Sequence, residues 1–246
     1  MTRILDPDSP IHSLVLVGDY GSGKTEVSVN LALHLAAAGS RRALAIADLD
    51  LVNPYFRCRE AREPLERAGV RVVSPEGGHA FADLPILLPQ VKGLLQDRET
   101  LSVLDVGGDE AGSRVLAGLA PAFDPARHAF WFVVNGRRPF CDTADGVVRA
   151  IRRVEQGARG WRVSGLVSNT HLMEESTPEM ILEGIALSRA VARELGVELV
   201  FAAVMEGLEP ESPDLPLLVM KRMMVPPWER RPGGDASAAR LGVTGS

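Results

Sequence analysis

The chain's most chemically committed stretch is Gly18-Asp-Tyr-Gly-Ser-Gly23-Lys24-Thr25, which fits the pattern G-x-x-x-x-G-K-[ST]. That spacing suits the binding of a polyphosphate. The glycines let successive backbone N–H groups close around phosphate oxygens, and a following helix would add its positive N-terminal end. Lys24 would reach the β- and γ-phosphates, and the Thr25 hydroxyl would ligate Mg²⁺. Gly18, Gly21, Ser22, Gly23, Lys24, Thr25 and the adjoining Glu26 are the candidate nucleotide contacts. Two acidic stretches complement them. In Leu101-Ser-Val-Leu-Asp105-Val-Gly-Gly108 an apolar run ends in an aspartate, placing Asp105 where a metal ion would be oriented. Gly107 and Gly108 would let the next segment approach the terminal phosphate and move when it leaves. In Asp48-Leu-Asp50-Leu-Val-Asn53-Pro54 two carboxylates at a spacing of two leave a strand end on one side. Asp48 suits the Mg²⁺ shell. Asp50, further out, suits orientation of an attacking water.

Such residues act only if a scaffold brings them together, and the hydrophobic pattern supplies one. Short, unalternating apolar runs at 13–18, 43–48, 70–74, 101–105, 129–135, 163–168 and 198–204, with a further one at 217–220, read as strands buried on both faces. Helical patterns lie between them. Residues 25–38 carry Val27, Leu31, Leu35 and Ala38 on one stripe and stop at Gly39; residues 142–156 and 179–195 read similarly. Thr177-Pro178 caps the last, and Asp142 is read as the cap of the one before it. The alternation predicts an α/β fold: a mostly parallel, doubly wound sheet of about seven or eight strands with helices on both faces. Residues 1–225 are read as a single domain and 226–246, which lack periodicity, as a poorly ordered tail.

The phosphate loop, the D-x-D-x-x-N-P stretch and the D-x-G-G stretch, in this order, resemble the MinD/ParA (CobQ/CobB/MinD/ParA) nucleotide-binding superfamily over roughly residues 11–205. The resemblance implies Mg²⁺-dependent ATP hydrolysis coupled to a partner or dimer switch, with Asp50 positioning the water and Asp48 and Asp105 near the metal. It also marks a departure. Members forming ATP-sandwich dimers carry an early loop lysine that reaches the partner's nucleotide, and this chain has Asp19 there. A homodimer is therefore possible but lacks that support. Arg57 and Arg59 are candidates for an activating positive charge. In Asn169-Thr-His171-Leu172, Asn169 ends a strand where the superfamily places an asparagine against the base. The guanine-reading N-K-x-D is absent, so adenine is favoured. The segment from Asn135 to Asp142 resembles the family's partner-facing stretch.

Composition narrows the setting. With 46% apolar residues in 246, the chain can bury a core, and no run is long enough to span a membrane. The N-terminal residues lack a signal-peptide apolar region, so a cytoplasmic location is expected. Cys58 and Cys141 form no CxxC pair, which argues against a disulfide framework or a cysteine-ligated zinc site. The five histidines show no metal-ligand spacing. A net charge of −5 argues against nucleic acid as a partner. Only Lys24, Lys92 and Lys221 are lysines among 27 basic residues. Such scarcity fits coding bias, and it makes the lysine retained in the phosphate loop more telling. The expected function is a slow ATPase, using ATP and Mg²⁺, whose segments 48–62 and 105–112 relay nucleotide state to an unidentified protein partner. An ATP-dependent ligase or kinase of the dethiobiotin-synthetase or cobyrinate-amidating type, or a non-hydrolysing assembly factor, are the alternatives.

Overall fold

The computed structural model describes residues 9–50, 58–75, 80–211 and 214–224. The expected tail, Asn53, Pro54 and Arg57, and the side chain of Arg59 lie outside the described residues. In chain order the elements are β1 (Ser13–Val17), α1 (Lys24–Ala37), β2 (Ala43–Leu49), α2 (Arg62–Arg67), β3 (Val70–Val73), α3 (Ala80–Gln96), β4 (Thr100–Val106), α4 (Glu110–Leu119), β5 (His128–Val134), α5 (Ala144–Gly157), β6 (Gly165–Ser168), α6 (Pro178–Leu195), β7 (Glu198–Met205) and β8 (Leu217–Met220). A 3₁₀ turn, Cys58–Ala61, leads into α2.

All eight strands are parallel, in the order β3-β2-β4-β1-β5-β6-β7-β8. The chain runs from β1 outward to β2 and β3, returns through β4, crosses to β5, and then fills the other half. Parallel pairing puts every C-terminal strand end on one edge, and the reversal beside β1 opens a crevice there. Both faces are covered. Along β1, Val15 and Val17 face a core built with α3, α4, α5 and α6, while Leu14 and Leu16 face one built with α1 and α2. This two-sided burial is the reason the strands read as continuous apolar runs.

Each of the eight expected strands is present, within two residues of its expected bounds. The cap of α6 is Thr177, whose hydroxyl accepts from the Met180 N–H, with Pro178 in the first turn. The cap of α5 is a correction. Thr143 caps it, accepting from the Gly146 N–H, and Asp142 sits one residue outside. The short α2 and the helices α3 and α4 went unread. In α3 the sequence carries Pro85, Pro89 and Gly93, which argue against a helix. Packing overrides them, through Leu87, Val91, Leu94 and Leu95 buried on one stripe.

Trp161, after α5, is fully buried and locks α4 in place. Its Nε1–H donates to the Leu116 carbonyl at 2.9 Å, and its ring stacks on Phe123 and meets Phe130 edge-on. Because α4 follows the Asp105 segment directly, this anchor fixes one side of the crevice. Replacing Trp161 with Ala is expected to cost about 3–5 kcal/mol of unfolding free energy in denaturant melts. A loss below about 1 kcal/mol would show that the indole is not the anchor.

Candidate functional site

The phosphate loop joins β1 to α1 as expected. Gly23 takes a left-handed conformation (φ 78°), and a side-chain carbon there would lie 2.4 Å from the Asn169 amide nitrogen. Only glycine satisfies both conditions. The loop is held from outside by its carbonyls. Asn169, at the end of β6, donates its Nδ2–H to the Ser22 carbonyl at 2.7 Å. Arg138, in the turn after β5, donates its Nε–H to the Gly21 carbonyl at 2.8 Å, with Asn135 Nδ2 at 3.4 Å from the same oxygen. These carbonyls are thereby occupied by side chains from two further strand ends, which brace the loop's curvature.

Lys24 and Asp50 are both buried and form an ion pair through Nζ and Oδ2. Burial pulls the Lys24 pKa down, but Asp105 and then Asp50 outweigh it, so the group stays a cation with its pKa above the ordinary value. Asp48 and Asp105 are direct register partners on β2 and β4, both buried. The Thr25 hydroxyl lies near enough to Asp105 to favour its charged form. Even so, neither Asp105 oxygen completes a hydrogen bond of ordinary geometry. Burial, with Asp50 and Asp48 adding to it and Lys24 opposing, pushes the Asp105 pKa up to about 7. An orphaned buried carboxylate beside a second carboxylate and a threonine hydroxyl is a donor set that fits a hard divalent cation. Gly108 lets the next segment pack against the loop, since a side-chain carbon there would lie 2.1 Å from the Gly18 carbonyl oxygen.

From the loop a pocket of about 360 Å³ runs toward β7 and β8. Gly23, Lys24 and Thr25 line one end, and Ile181, Met205, Leu208, Met220 and Met224 line the other. A polar end and an apolar end within one cleft suit a phosphorylated ligand with a flat ring system. Asn169 lines the pocket while also tying down the loop. Glu26 takes partners beyond the phosphate loop. Its carboxylate accepts from the Met223 and Met224 N–H groups at 2.6 and 3.0 Å, and burial raises its pKa. Asn30, one turn on, exchanges hydrogen bonds with the backbone of Lys221 in both directions. Two helix residues thus hold segment 221–224 as a wall of the pocket.

Several site residues escaped sequence reasoning. Arg138 and Asn135 act through folded proximity that no spacing encodes. His171 lines the pocket, and burial followed by Arg138 lowers its pKa to about 4, leaving a neutral imidazole at physiological pH. Asp19, at the position of the expected lysine, accepts from Arg153 Nη2 on α5 at 2.6 Å and from the Cys141 thiol at 3.5 Å.

No family model and no curated protein matches the chain. Solved structures do. The chain is similar to chloroplast FtsY from Physcomitrella patens, at 19% identity and a TM-score of 0.52, covering 86% of this chain and 65% of that one. FtsY from Mycoplasma mycoides matches at 17% identity and 0.51, over 81% and 61%. The signal recognition particle 54 kDa protein from Aeropyrum pernix K1, in complex with GDP, matches at 20% and 0.51, over 80% and 42%. The fold is that of a P-loop nucleoside triphosphatase. At these identities the likeness concerns the fold, and the chain spans less than two thirds of the length of each of these three. Among the described residues no helix is long and apolar enough to cross a membrane.

The raised pKa of Asp105 has a stability consequence. Without metal, the folded chain keeps a proton there between about pH 4 and pH 7 that the unfolded chain, titrating near the ordinary aspartate value of 3.8, has released. This group's contribution to stability therefore falls as pH rises from about 4 to about 7. Asp105→Asn, nearly isosteric, is expected to raise the melting temperature of the metal-free protein by several degrees at about pH 8 and by much less at about pH 5. Equal shifts at both pH values would contradict this account.

Proposed function

We propose that the chain is a Mg²⁺-dependent, ATP-binding P-loop ATPase of the MinD/ParA type that works as a nucleotide-dependent switch on a protein partner. The observation that carries the reading is the Lys24–Asp50 ion pair at the mouth of the loop, beside the unpartnered carboxylate of Asp105. A triphosphate offers Lys24 a stronger anionic partner than Asp50. Lys24 then turns to the β- and γ-phosphates, and Asp50 is released as an acceptor for the attacking water. The loop N–H groups and the N-terminus of α1 hold the phosphates in place. Thr25, Asp48 and Asp105 would hold Mg²⁺, which when bound supplies charge neutralisation on the phosphate oxygens.

Adenine is the proposed base. A carboxylate three residues after Asn169 would pair with the guanine N–H groups, and Leu172 stands there. The pocket's base end is apolar, with methionines that adapt to a ring face. One similar structure holds GDP, so base choice is the finer question the experiment must answer. For the partner, two exposed aromatics support a contact surface beside the loop. Tyr20, within it, is 87% exposed, and Phe140, beyond Arg138, is 83% exposed. The cis pairing of Asp19 with Arg153 argues against a copy of this chain being bridged by the loop position where relatives carry lysine. A homodimer, if formed, uses other contacts.

Equilibrium nucleotide binding and steady-state phosphate release test this reading. ATP is expected to bind at least about tenfold more tightly than GTP. Lys24→Ala is expected to weaken ATP binding by about tenfold or more, the scale of a lost charged hydrogen bond. Asp50→Ala is expected to keep ATP binding and cut phosphate release by about a hundredfold, the scale of a lost water-activating group. Phosphate release that survives both substitutions would sink the assignment.

A further inference from the structure

Cys58 opens the 3₁₀ turn before α2, and its thiol is fully buried. Its sulfur and one carboxylate oxygen from each of Asp48 and Asp105 all lie within 4.8 Å of one another. We propose that Asp48, Cys58 and Asp105 form a binding site for a thiophilic divalent cation of the zinc class, sharing two carboxylates with the expected Mg²⁺ site and adding a sulfur that Mg²⁺ does not use. Two observations point there independently. The donor atoms already converge, and both oxygens of the fully buried Asp105 lack a hydrogen-bond partner.

The geometry is close to what such an ion needs. Zinc–sulfur bonds of about 2.3 Å and zinc–oxygen bonds of about 2.0–2.2 Å put tetrahedral ligands roughly 3.3–3.7 Å apart. The three atoms therefore close on an ion by shifts of about 1 Å or less. Three protein ligands leave a fourth position for water, the arrangement of an open zinc site. Thr25, which lines the pocket and lies against Asp105, connects the cluster to the cleft through which an ion enters. Sulfur selects the ion class, because thiolates favour zinc, cobalt and cadmium, whereas Mg²⁺ takes oxygen. On binding, one metal–sulfur bond forms and the thiol proton leaves to solvent, with no change in oxidation state. The negative charge that Asp48, Asp50 and Asp105 hold against Lys24 attracts a divalent cation, which displaces a proton that burial and then Asp48 and Asp105 hold on the Cys58 thiol. The low cysteine count concealed the site, because Cys58 is joined here by carboxylates and not by a second cysteine.

Co²⁺ is the probe, titrated into the full chain under a non-thiol reductant and without nucleotide. One equivalent is expected to give sulfur-to-cobalt charge-transfer absorption in the near ultraviolet and visible bands strong enough to indicate tetrahedral coordination, both abolished by stoichiometric Zn²⁺. Cys58→Ser is expected to lose the charge-transfer absorption and Cys141→Ser to keep it, while Asp105→Asn weakens Co²⁺ at least tenfold. X-ray absorption at the zinc edge of the unmodified chain needs no variant and is expected to show one sulfur with oxygen neighbours. A spectrum without the charge-transfer band, a band that survives Cys58→Ser, or a zinc edge without sulfur would overturn the proposal. None of these readouts involves nucleotide, so the site can fail while ATP binding at the loop stands, and the reverse.

Discussion

Three buried carboxylates converge on one ammonium where the central strands end, and that imbalance governs the rest of the site. Asp50 takes the Lys24 cation directly, while Asp105, in register with Asp48, is left without a hydrogen-bond partner. Burial disfavours the ionised form, and the neighbouring charges of Asp50 and Asp48 add to it against Lys24, which is why the Asp105 acid is pushed up to about 7. An arrangement of this kind costs stability in the free chain and is relieved by positive charge. Ligands that bring a cation, and anions that draw Lys24 away from Asp50, act on the same cluster in opposite electrostatic senses. The cluster is thus arranged so that an anion at Lys24 and a cation at the carboxylates would each lower the cost of the other.

The sheet makes this concentration of charge possible. β2, β4 and β1 run parallel and adjacent, so Asp48, Asp105 and the start of the phosphate loop emerge on one edge. Antiparallel pairing would have sent neighbouring ends to opposite edges. Glycine then removes the remaining distance. At Gly108 the segment after Asp105 comes so near the Gly18 carbonyl that any side chain would collide. Movement of that segment against the loop is consequently transmitted through backbone contact. It continues into α4, which Asp109 caps by accepting from the Gly112 N–H and which Trp161 pins at Leu116.

The parts of this design that are local or periodic were legible in the sequence. The glycine-rich motif marked the turn from β1 into α1, and strands buried on both faces announce themselves as apolar runs. Asp48, Asp50 and Asp105 could be located because Asp48 and Asp105 are the next-to-last residues of β2 and β4 and Asp50 follows β2 directly. Features that depend on tertiary proximity were not legible. Nothing in the spacing says that Arg138 would reach the Gly21 carbonyl from 117 positions away, or that Glu26 would hold a backbone 197 positions later. Asn169 illustrates the boundary. Its position at a strand end was readable, but its hydrogen bond to Ser22 shows it bracing the loop as well as lining the pocket. α3 failed for another reason, since its prolines contradict a helix that burial of one face imposes.

The two ends of the pocket are mechanically one unit through the first turns of α1. Lys24 and Thr25 begin that helix at the loop end of the pocket, and Glu26 and Asn30, on the same helix, hold segment 221–224 at its apolar end. A ligand spanning the pocket therefore meets, at each end, groups whose positions depend on α1, with Met220 and Met224 as part of its apolar wall. Asp19 extends the coupling the other way, from the loop to α5 through Arg153. A lysine at position 19 would face repulsion from that arginine, whereas aspartate is stabilised by it. Asp19 thereby ties the loop to the chain's own α5, on the side where Tyr20 and Phe140 are exposed. The exposed surface beside the loop is consequently shaped by contacts within one copy of the chain.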